Sequence, residues 1–133
     1  MPVMLTLMLS VLWKEYPNVA LCALFWLSTV WMTYSMKLVS RPAGLLILLG
    51  AVSNALVTVF NGGVMPVVGM PSSFSPVFPV WQQAHGNHGL LLLADHASLY
   101  YFSIGDFFLI AGASMLVLER VYHKLRVAVP QQS

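Results

Sequence analysis

The chain has 133 residues, of which 59% are hydrophobic and only 8% are charged, and its formal net charge is +2. An ordinary soluble domain is about 25% charged, so this composition predicts one integral membrane domain and argues against a soluble protein. The small net charge, with no basic stripe between aromatics, gives no indication of nucleic-acid binding, and the single Cys22 excludes an internal disulfide.

Charged residues occur in short clusters that separate long uncharged tracts. This pattern is typical of membrane spans joined by charged turns, and it predicts an all-α membrane protein with four transmembrane helices. The predicted helices cover residues 1–15, 18–36, 43–60 and 104–122 of a single domain, 1–133. The first is short, because about 13 apolar residues make roughly 20 Å of helix against a hydrocarbon core of about 30 Å. It can cross only by local thinning of the bilayer or by packing beside a longer helix.

The third predicted helix has one small and polar face. Gly50 and Asn54 are four residues apart and therefore lie on the same side of the helix. In lipid, such a face packs against another helix, and the amide hydrogen-bonds across the contact. We therefore predict helix packing at Gly50 and Asn54, with a substrate or ion ligand as the alternative role of Asn54.

A long apolar loop, residues 61–103, separates the third and fourth helices, and we name it the lid. Asn61-Gly62-Gly63 begins it as a helix stop, because both residue types accept left-handed backbone angles. Its prolines prevent a helix over most of its length, apart from a short interfacial helix expected at residues 90–93. Ser103 and Asp106 form a capping box that starts the fourth helix. Lipid offers no hydrogen bonds, so any part of the lid that enters the membrane must be covered by protein.

The basic residues predict the orientation of the bundle. Lys37 and Arg41 mark one end as cytoplasmic, and Arg120, Lys124 and Arg126 lie on the same side after two further crossings. Both chain ends are then cytoplasmic, and the lid is extracytoplasmic.

Two motifs in this order, Asn61-Gly62-Gly63-Val64-Met65-Pro66-Val67 and Phe102-Ser103-Ile104-Gly105-Asp106, resemble those of a family of small bacterial membrane proteins classed as a domain of unknown function. Residues 54–57 and 93–95 also resemble elements of that family, and the resemblance covers roughly residues 43–118. It implies a multi-pass protein of the prokaryotic cell (inner) membrane. It implies no activity.

Three polar residues at the two ends and in the middle of the lid form a candidate site. Asn61, Asp95 and Asp106 are all expected at the same membrane face, where they could hold a cation or pass a proton. The alternative for Asp106 is structural, because a carboxylate in the first turn of a helix is stabilised by the helix dipole.

The lid histidines are a second candidate. His85, His88 and His96, with Asp95 nearby, could bind a metal, a haem iron or a pigment, since neutral imidazole is a common metal ligand. Their spacing matches no established zinc signature, so surface histidines are the alternative.

No catalytic motif is present, so the first functional hypothesis is a non-enzymatic subunit or scaffold of a larger membrane complex. Its partners would be membrane lipids and other membrane subunits, or further copies of the chain. The alternatives are a metal-, haem- or pigment-binding membrane protein that uses the lid histidines, and a small proton- or ion-coupled carrier that uses Asn54, Asn61 and Asp106.

Overall fold

Four helices carry most of the chain in the computed structural model, which describes residues 2–37, 41–71, 73, 76–86, 89–99 and 101–128. They are α1 (Pro2–Glu15), α2 (Val19–Ser35), α3 (Pro42–Phe60) and α4 (Ile104–Ala128). Each helix packs on the next along the chain, and α3 with α4 make the most extensive contact. The predicted number of four helices is confirmed, and α4 continues beyond the end predicted at residue 122.

Local signals explain where the helices begin and end. The Asn18 side chain accepts a hydrogen bond of 2.9 Å from the Leu21 N–H and so caps α2. Pro42 occupies the first position of α3, where its missing N–H leaves no hydrogen bond unmade. The chain turns out of α3 through Gly62 and Gly63, whose φ angles are +72° and +91°.

The lid contains a small parallel sheet, so the all-α prediction is wrong in this region. Its strands are β1 (Met65–Val68), β2 (Trp81–Gln83) and β3 (Asp95–His96), in the order β2-β1-β3. Strand β1 pairs Met65 with Trp81 on one side and Val67 with Asp95 on the other. The physical reason is that the backbone N–H and carbonyl groups of a buried segment must find hydrogen-bond partners. Pairing of the strands supplies those partners.

Pro66 in the central strand is what made this sheet hard to predict, because proline lacks the N–H that a strand ladder uses. Successive N–H groups of a strand point to opposite edges. The Met65 N–H points toward β2, where it bonds the Val80 carbonyl at 2.8 Å. The Pro66 nitrogen therefore points toward β3, whose pairing begins only at Val67 with Asp95. No ladder bond is lost.

One helix in the described part of the chain, Pro42–Phe60, is both long enough and apolar enough to cross a membrane. Helix α2 is apolar but has 17 residues. Large hydrophobic side chains remain exposed on all four helices, as with Met8 on α1, Leu27 on α2, Phe60 on α3 and Leu118 on α4. The predicted number of four crossings stays a prediction.

The junction between α1, α2 and the lid centres on Gly63. The Trp13 indole N–H donates a hydrogen bond of 2.6 Å to the Gly63 carbonyl. A Cβ atom at Gly63 would overlap the backbone of Asn18, which begins α2. The lid is therefore held against both helices at a point that has no room for a side chain.

We expect Gly63→Ala to lower the thermal unfolding temperature of the detergent-solubilised protein far more than Gly62→Ala. Both glycines have positive φ, for which a Cβ costs about 1–2 kcal/mol. Only Gly63 adds a backbone clash, since a Cβ at Gly62 meets nothing within 4 Å. Circular dichroism during heating measures the difference, and equal losses in the two variants would contradict the close approach.

Candidate binding site under the lid

A cavity of about 300 Å³ lies where the lid meets the helices. Its walls include the aromatic side chains of Trp13, Phe25, Trp26, Trp81, Tyr101 and Phe102. Its polar lining comes from Lys14, Asn54, Asp95 and Asp106. The volume is at the lower end of the range for small-molecule sites, and an apolar wall with a few converging polar groups is typical of them.

The aromatic wall is packed before any ligand arrives. Trp13 stacks on Phe25 with ring centroids 5.3 Å apart, and Trp26 packs on both rings. On the lid side, Trp81 meets Phe78 edge-on at 5.7 Å. Aromatic pairs in these geometries are worth about 0.5–1.5 kcal/mol each beyond the area they bury. The wall is thus a preformed surface.

A closed ring of hydrogen bonds joins α3 to the start of α4. The Ser103 Oγ accepts from the Asp106 N–H at 3.1 Å, and the Asp106 Oδ2 accepts from the Ser103 N–H at 3.0 Å. These two bonds are the capping box. Asn54 completes the ring, since its Nδ2 donates to the Asp106 Oδ1 at 2.8 Å and its Oδ1 accepts from the Ser103 Oγ at 2.9 Å. Both oxygens of Asp106 are therefore occupied, and the carboxylate is held in one orientation.

Thr58 extends this network to α2. Its hydroxyl donates to the Asn54 carbonyl at 2.6 Å and accepts from the Trp26 indole N–H at 3.2 Å and from the Cys22 thiol at 3.0 Å. Trp26, a wall of the cavity, is thus fixed to the helix that presents Asn54. Sequence reasoning missed Thr58, although its position four residues after Asn54 places it on the same helix face.

Asp95 differs from Asp106 in having an oxygen that no described residue bonds. Its side chain is 3% exposed, and its Oδ1 has no hydrogen-bond partner in the described part of the chain. Burial first, and then repulsion from Asp106, raise the pKa of Asp95 to about 7 against the opposing effect of a hydrogen bond with the Trp81 side chain. Asp95 can therefore gain or lose a proton near neutral pH.

The structure brings together two of the three residues predicted as a polar cluster. Asp95 and Asp106 both line the cavity, whereas Asn61 does not. The Asn61 side chain donates to the Val57 carbonyl at 2.6 Å and exchanges two hydrogen bonds with the Gly89 backbone, at 3.0 and 2.9 Å. Asn61 therefore ties a lid turn to the end of α3. Asn54 takes the place at the cavity that the prediction assigned to Asn61.

Gly50 and Asn54 both face α4. A Cβ atom at Gly50 would lie 2.5 Å from the Gly105 carbonyl oxygen and 2.7 Å from the Leu109 side chain. The two helix backbones therefore approach closely here, and this closeness brings the Asn54 amide within reach of Asp106. The Asn54 side chain therefore contributes to the packing of α3 on α4, through its hydrogen bond to Asp106, and also lines the cavity.

The lid histidines do not form a cluster where the structure describes them. His85 is exposed beyond β2, and His96 is half-buried in β3, where its backbone N–H and carbonyl bond Phe102 and Tyr101. His88 lies outside the described residues. Within the described ranges, no group of three His, Cys, Asp or Glu side chains could hold a metal ion. The metal, haem or pigment hypothesis stays a prediction.

The fold and site define a small, mostly helical protein, with one helix among the described residues able to cross a membrane and a sheet-containing lid beside an aromatic-walled cavity. The chain belongs to a family of unknown function, DUF5317, whose model matches residues 1–118. This confirms the resemblance at the level of a family of unknown function, whereas the role of the motifs and the membrane location stay predictions. No curated protein and no solved structure matches the chain at a significant level.

Proposed function

We propose that this protein is a small multi-pass membrane carrier, which binds a small solute in the cavity under the lid and couples its binding to a proton. The observation that carries the proposal is Asp95, a buried acid that lines an aromatic-walled cavity beside a second carboxylate and whose Oδ1 is bonded by no described residue. Ionisable groups whose pKa is shifted by burial beside a second charge in a cleft are candidates for functional sites.

The membrane location of the proposal rests on the outer surface of the helices. Soluble monomers rarely expose contiguous apolar patches of more than a few hundred Å². Here large apolar side chains are exposed along every helix, with Phe60 70% and Leu118 68% exposed. Lipid is the solvent that suits this surface, and the basic residues set both chain ends in the cytoplasm of a prokaryotic cell and the lid outside its inner membrane.

The two carboxylates divide the work of a coupled carrier. Asp106 is held by Asn54 and by the backbone of its own capping box, so it supplies a fixed negative charge. Asp95 has one oxygen that no described residue bonds and a pKa of about 7, so it can exchange a proton for a ligand. A solute that enters the cavity would change the balance between the two forms of Asp95.

The proposal is tested with the full chain in liposomes that contain a trapped pH-sensitive dye. Three solutes of similar shape but different charge, tetramethylammonium, tert-butanol and pivalate, are added outside, and proton movement and labelled-solute uptake are followed together. We expect one of the three to be taken up with a proton movement that Asp106→Asn abolishes, because the amide removes the negative charge while its one oxygen can still accept the capping hydrogen bond from the Ser103 N–H.

Glu15→Gln is the matched control, since Glu15 is an exposed acid that does not line the cavity. It should leave uptake unchanged. A carrier role is excluded if no solute moves above protein-free liposomes, or if Asp106→Asn transports like the wild type.

The complex-subunit hypothesis stays a prediction. The exposed apolar faces are compatible with a partner but are equally covered by lipid, and they do not single out a contact site. The cavity favours the carrier, because packing against a partner does not require a buried acid with an oxygen that no described residue bonds.

A further inference from the structure

We infer that the cavity under the lid binds a small organic monocation of the alkylammonium class, with Asp95 as its counter-ion and the aromatic wall as its cage. This inference rests on the proposed function and names its solute class. The charge of the lining, the aromatic walls and the position of Lys14 at the cavity edge support it.

The charge of the lining selects a cation. Asp95 and Asp106 both face the cavity, and only Lys14 opposes them. No lysine or arginine among the described residues forms an ion pair with either acid, since the single such pair, Arg41 with Glu119, lies at the other end of α3 and α4. An anion would meet two carboxylates, whereas a cation would supply a counter-charge for Asp95, which is buried and forms no ion pair with a described residue.

The walls select an organic cation over a metal ion. Calcium and magnesium require about six or more oxygen ligands, and the described lining offers two carboxyl groups, of which both Asp106 oxygens already accept hydrogen bonds, among aromatic side chains. The electron-rich faces of aromatic rings attract alkylammonium groups, and quaternary ammonium ions above all. The small volume of the cavity restricts the ligand to a compact member of that class.

Lys14 shows that this aromatic region accepts an ammonium group. Its Nζ lies 5.4 Å from the centroid of the Phe78 ring, which packs against Trp81 of the cavity wall. The Lys14 charge remains at the cavity edge and limits the site to a single added positive charge. Removing that charge should therefore strengthen cation binding.

The bound cation exchanges with a proton. The titratable or charged groups that line the cavity around Asp95 are Asp106 of α4, Lys14 of α1 and Tyr101 of the lid. When the cation enters, the Asp95 carboxyl releases its proton to solvent and the carboxylate takes the cation as its partner. Below neutral pH the proton competes, so the apparent affinity falls about tenfold for each pH unit well below the Asp95 pKa.

Tryptophan emission provides the measurement, because Trp13, Trp26 and Trp81 line the cavity and only Trp31 of the four tryptophans does not. The full-length protein in detergent is titrated at about pH 8 with tetramethylammonium, tert-butanol, pivalate and calcium chloride. We expect a saturable change with tetramethylammonium alone. Asp95→Asn should weaken it roughly tenfold or more, Lys14→Gln should strengthen it a few-fold, and Glu15→Gln should leave it unchanged.

Thermal unfolding of each variant, with the same tryptophan signal, verifies that the fold is retained before affinities are compared. Saturable binding of tert-butanol, pivalate or calcium in place of the ammonium ion would overturn the inference while leaving a solute-binding cavity. So would equal tetramethylammonium affinity in the wild type and Asp95→Asn. Tetramethylammonium binding in detergent without uptake into liposomes would support the site and exclude the carrier, so the two proposals fail separately.

Discussion

Gly105→Ala should destabilise the protein severely, although alanine is the better helix former. Gly105 is buried at the second position of α4, where a Cβ atom would overlap the Asn54 Oδ1 and lie 2.9 Å from the Gly50 carbonyl oxygen. Because the Gly50 backbone cannot move without shifting α3, the Asn54 side chain must leave. Its hydrogen bonds to Ser103 and Asp106 are then broken inside the bundle.

The magnitude follows from the terms that oppose each other. Replacing glycine by alanine in a helix favours folding by up to about 1 kcal/mol. Overpacking costs roughly 1–3 kcal/mol, and each buried polar group left without its partner adds about 1–3 kcal/mol. The net loss should therefore be on the order of 3 kcal/mol or more, measured as a fall in the thermal unfolding midpoint by circular dichroism.

Gly86→Ala is the control for this substitution, because a Cβ at Gly86 meets nothing within 4 Å and its φ is not positive. It should leave the unfolding midpoint within error of the wild type. A Gly105→Ala protein that unfolds at or above the wild-type temperature would show that helix propensity outweighs the close α3–α4 contact.

The second large effect is a loss of stability with rising pH that Asp95→Asn removes. The Asp95 pKa rises from 3.8 in the unfolded chain to about 7 in the fold, mainly because of burial. Between these two values the folded protein holds a proton that the unfolded chain has released. The free energy of unfolding therefore falls as pH increases through this window. Below about pH 4 both states are protonated, and above about pH 8 both have lost the proton, so the slope vanishes outside it.

The full effect is roughly 4 kcal/mol, at about 1.4 kcal/mol for each pH unit between the two values. Asp95 is 3% exposed, so screening by water does little to reduce it. Unfolding of the wild type and of Asp95→Asn is compared from about pH 4 to pH 8. The free energy of unfolding of Asp95→Asn, relative to that of the wild type, should increase toward high pH. Any constant difference in stability caused by the amide does not change this trend.

Subtraction of the two curves isolates the contribution of Asp95 from those of all other groups, which the two proteins share. Glu15→Gln, which changes an exposed acid, should follow the wild-type curve at every pH. Parallel curves for the wild type and Asp95→Asn would contradict the buried, proton-exchanging state of Asp95.

The closed ring of hydrogen bonds between α3 and α4 shows which contacts local sequence patterns can predict. The two capping-box bonds join Ser103 and Asp106, which are three residues apart, and this half of the ring is predictable from the sequence. The other half joins Asp106 to Asn54, which is 52 residues away. Spacing within α3 predicts that Asn54 faces a helix, but it does not specify which helix or which acid.

Asn61 and Asp95 show the same limit. From the sequence, a polar residue beside a glycine helix stop is compatible with a binding site and with a structural hydrogen bond. Asn61 has the structural role because the fold places the Gly89 backbone within hydrogen-bonding distance of its side chain. Asp95 follows a run of leucines. It is buried because β3 pairs with β1, where its partner Val67 is itself fully buried. No pattern within a few residues of Asp95 contains that pairing.

The sequence by itself therefore determined the family, the four helices and the local signals that begin and end them, because these depend on residues within one or two helical turns. Tertiary structure alone decided the parallel sheet, the aromatic cavity and the choice of Asn54 over Asn61 beside the two acids. Parallel strands are joined only through long connections, and buried polar groups take whichever partner the packing brings within hydrogen-bonding distance. Strand pairing and the partners of buried polar groups both depend on contacts between residues far apart in the sequence. The candidate site is formed by such contacts.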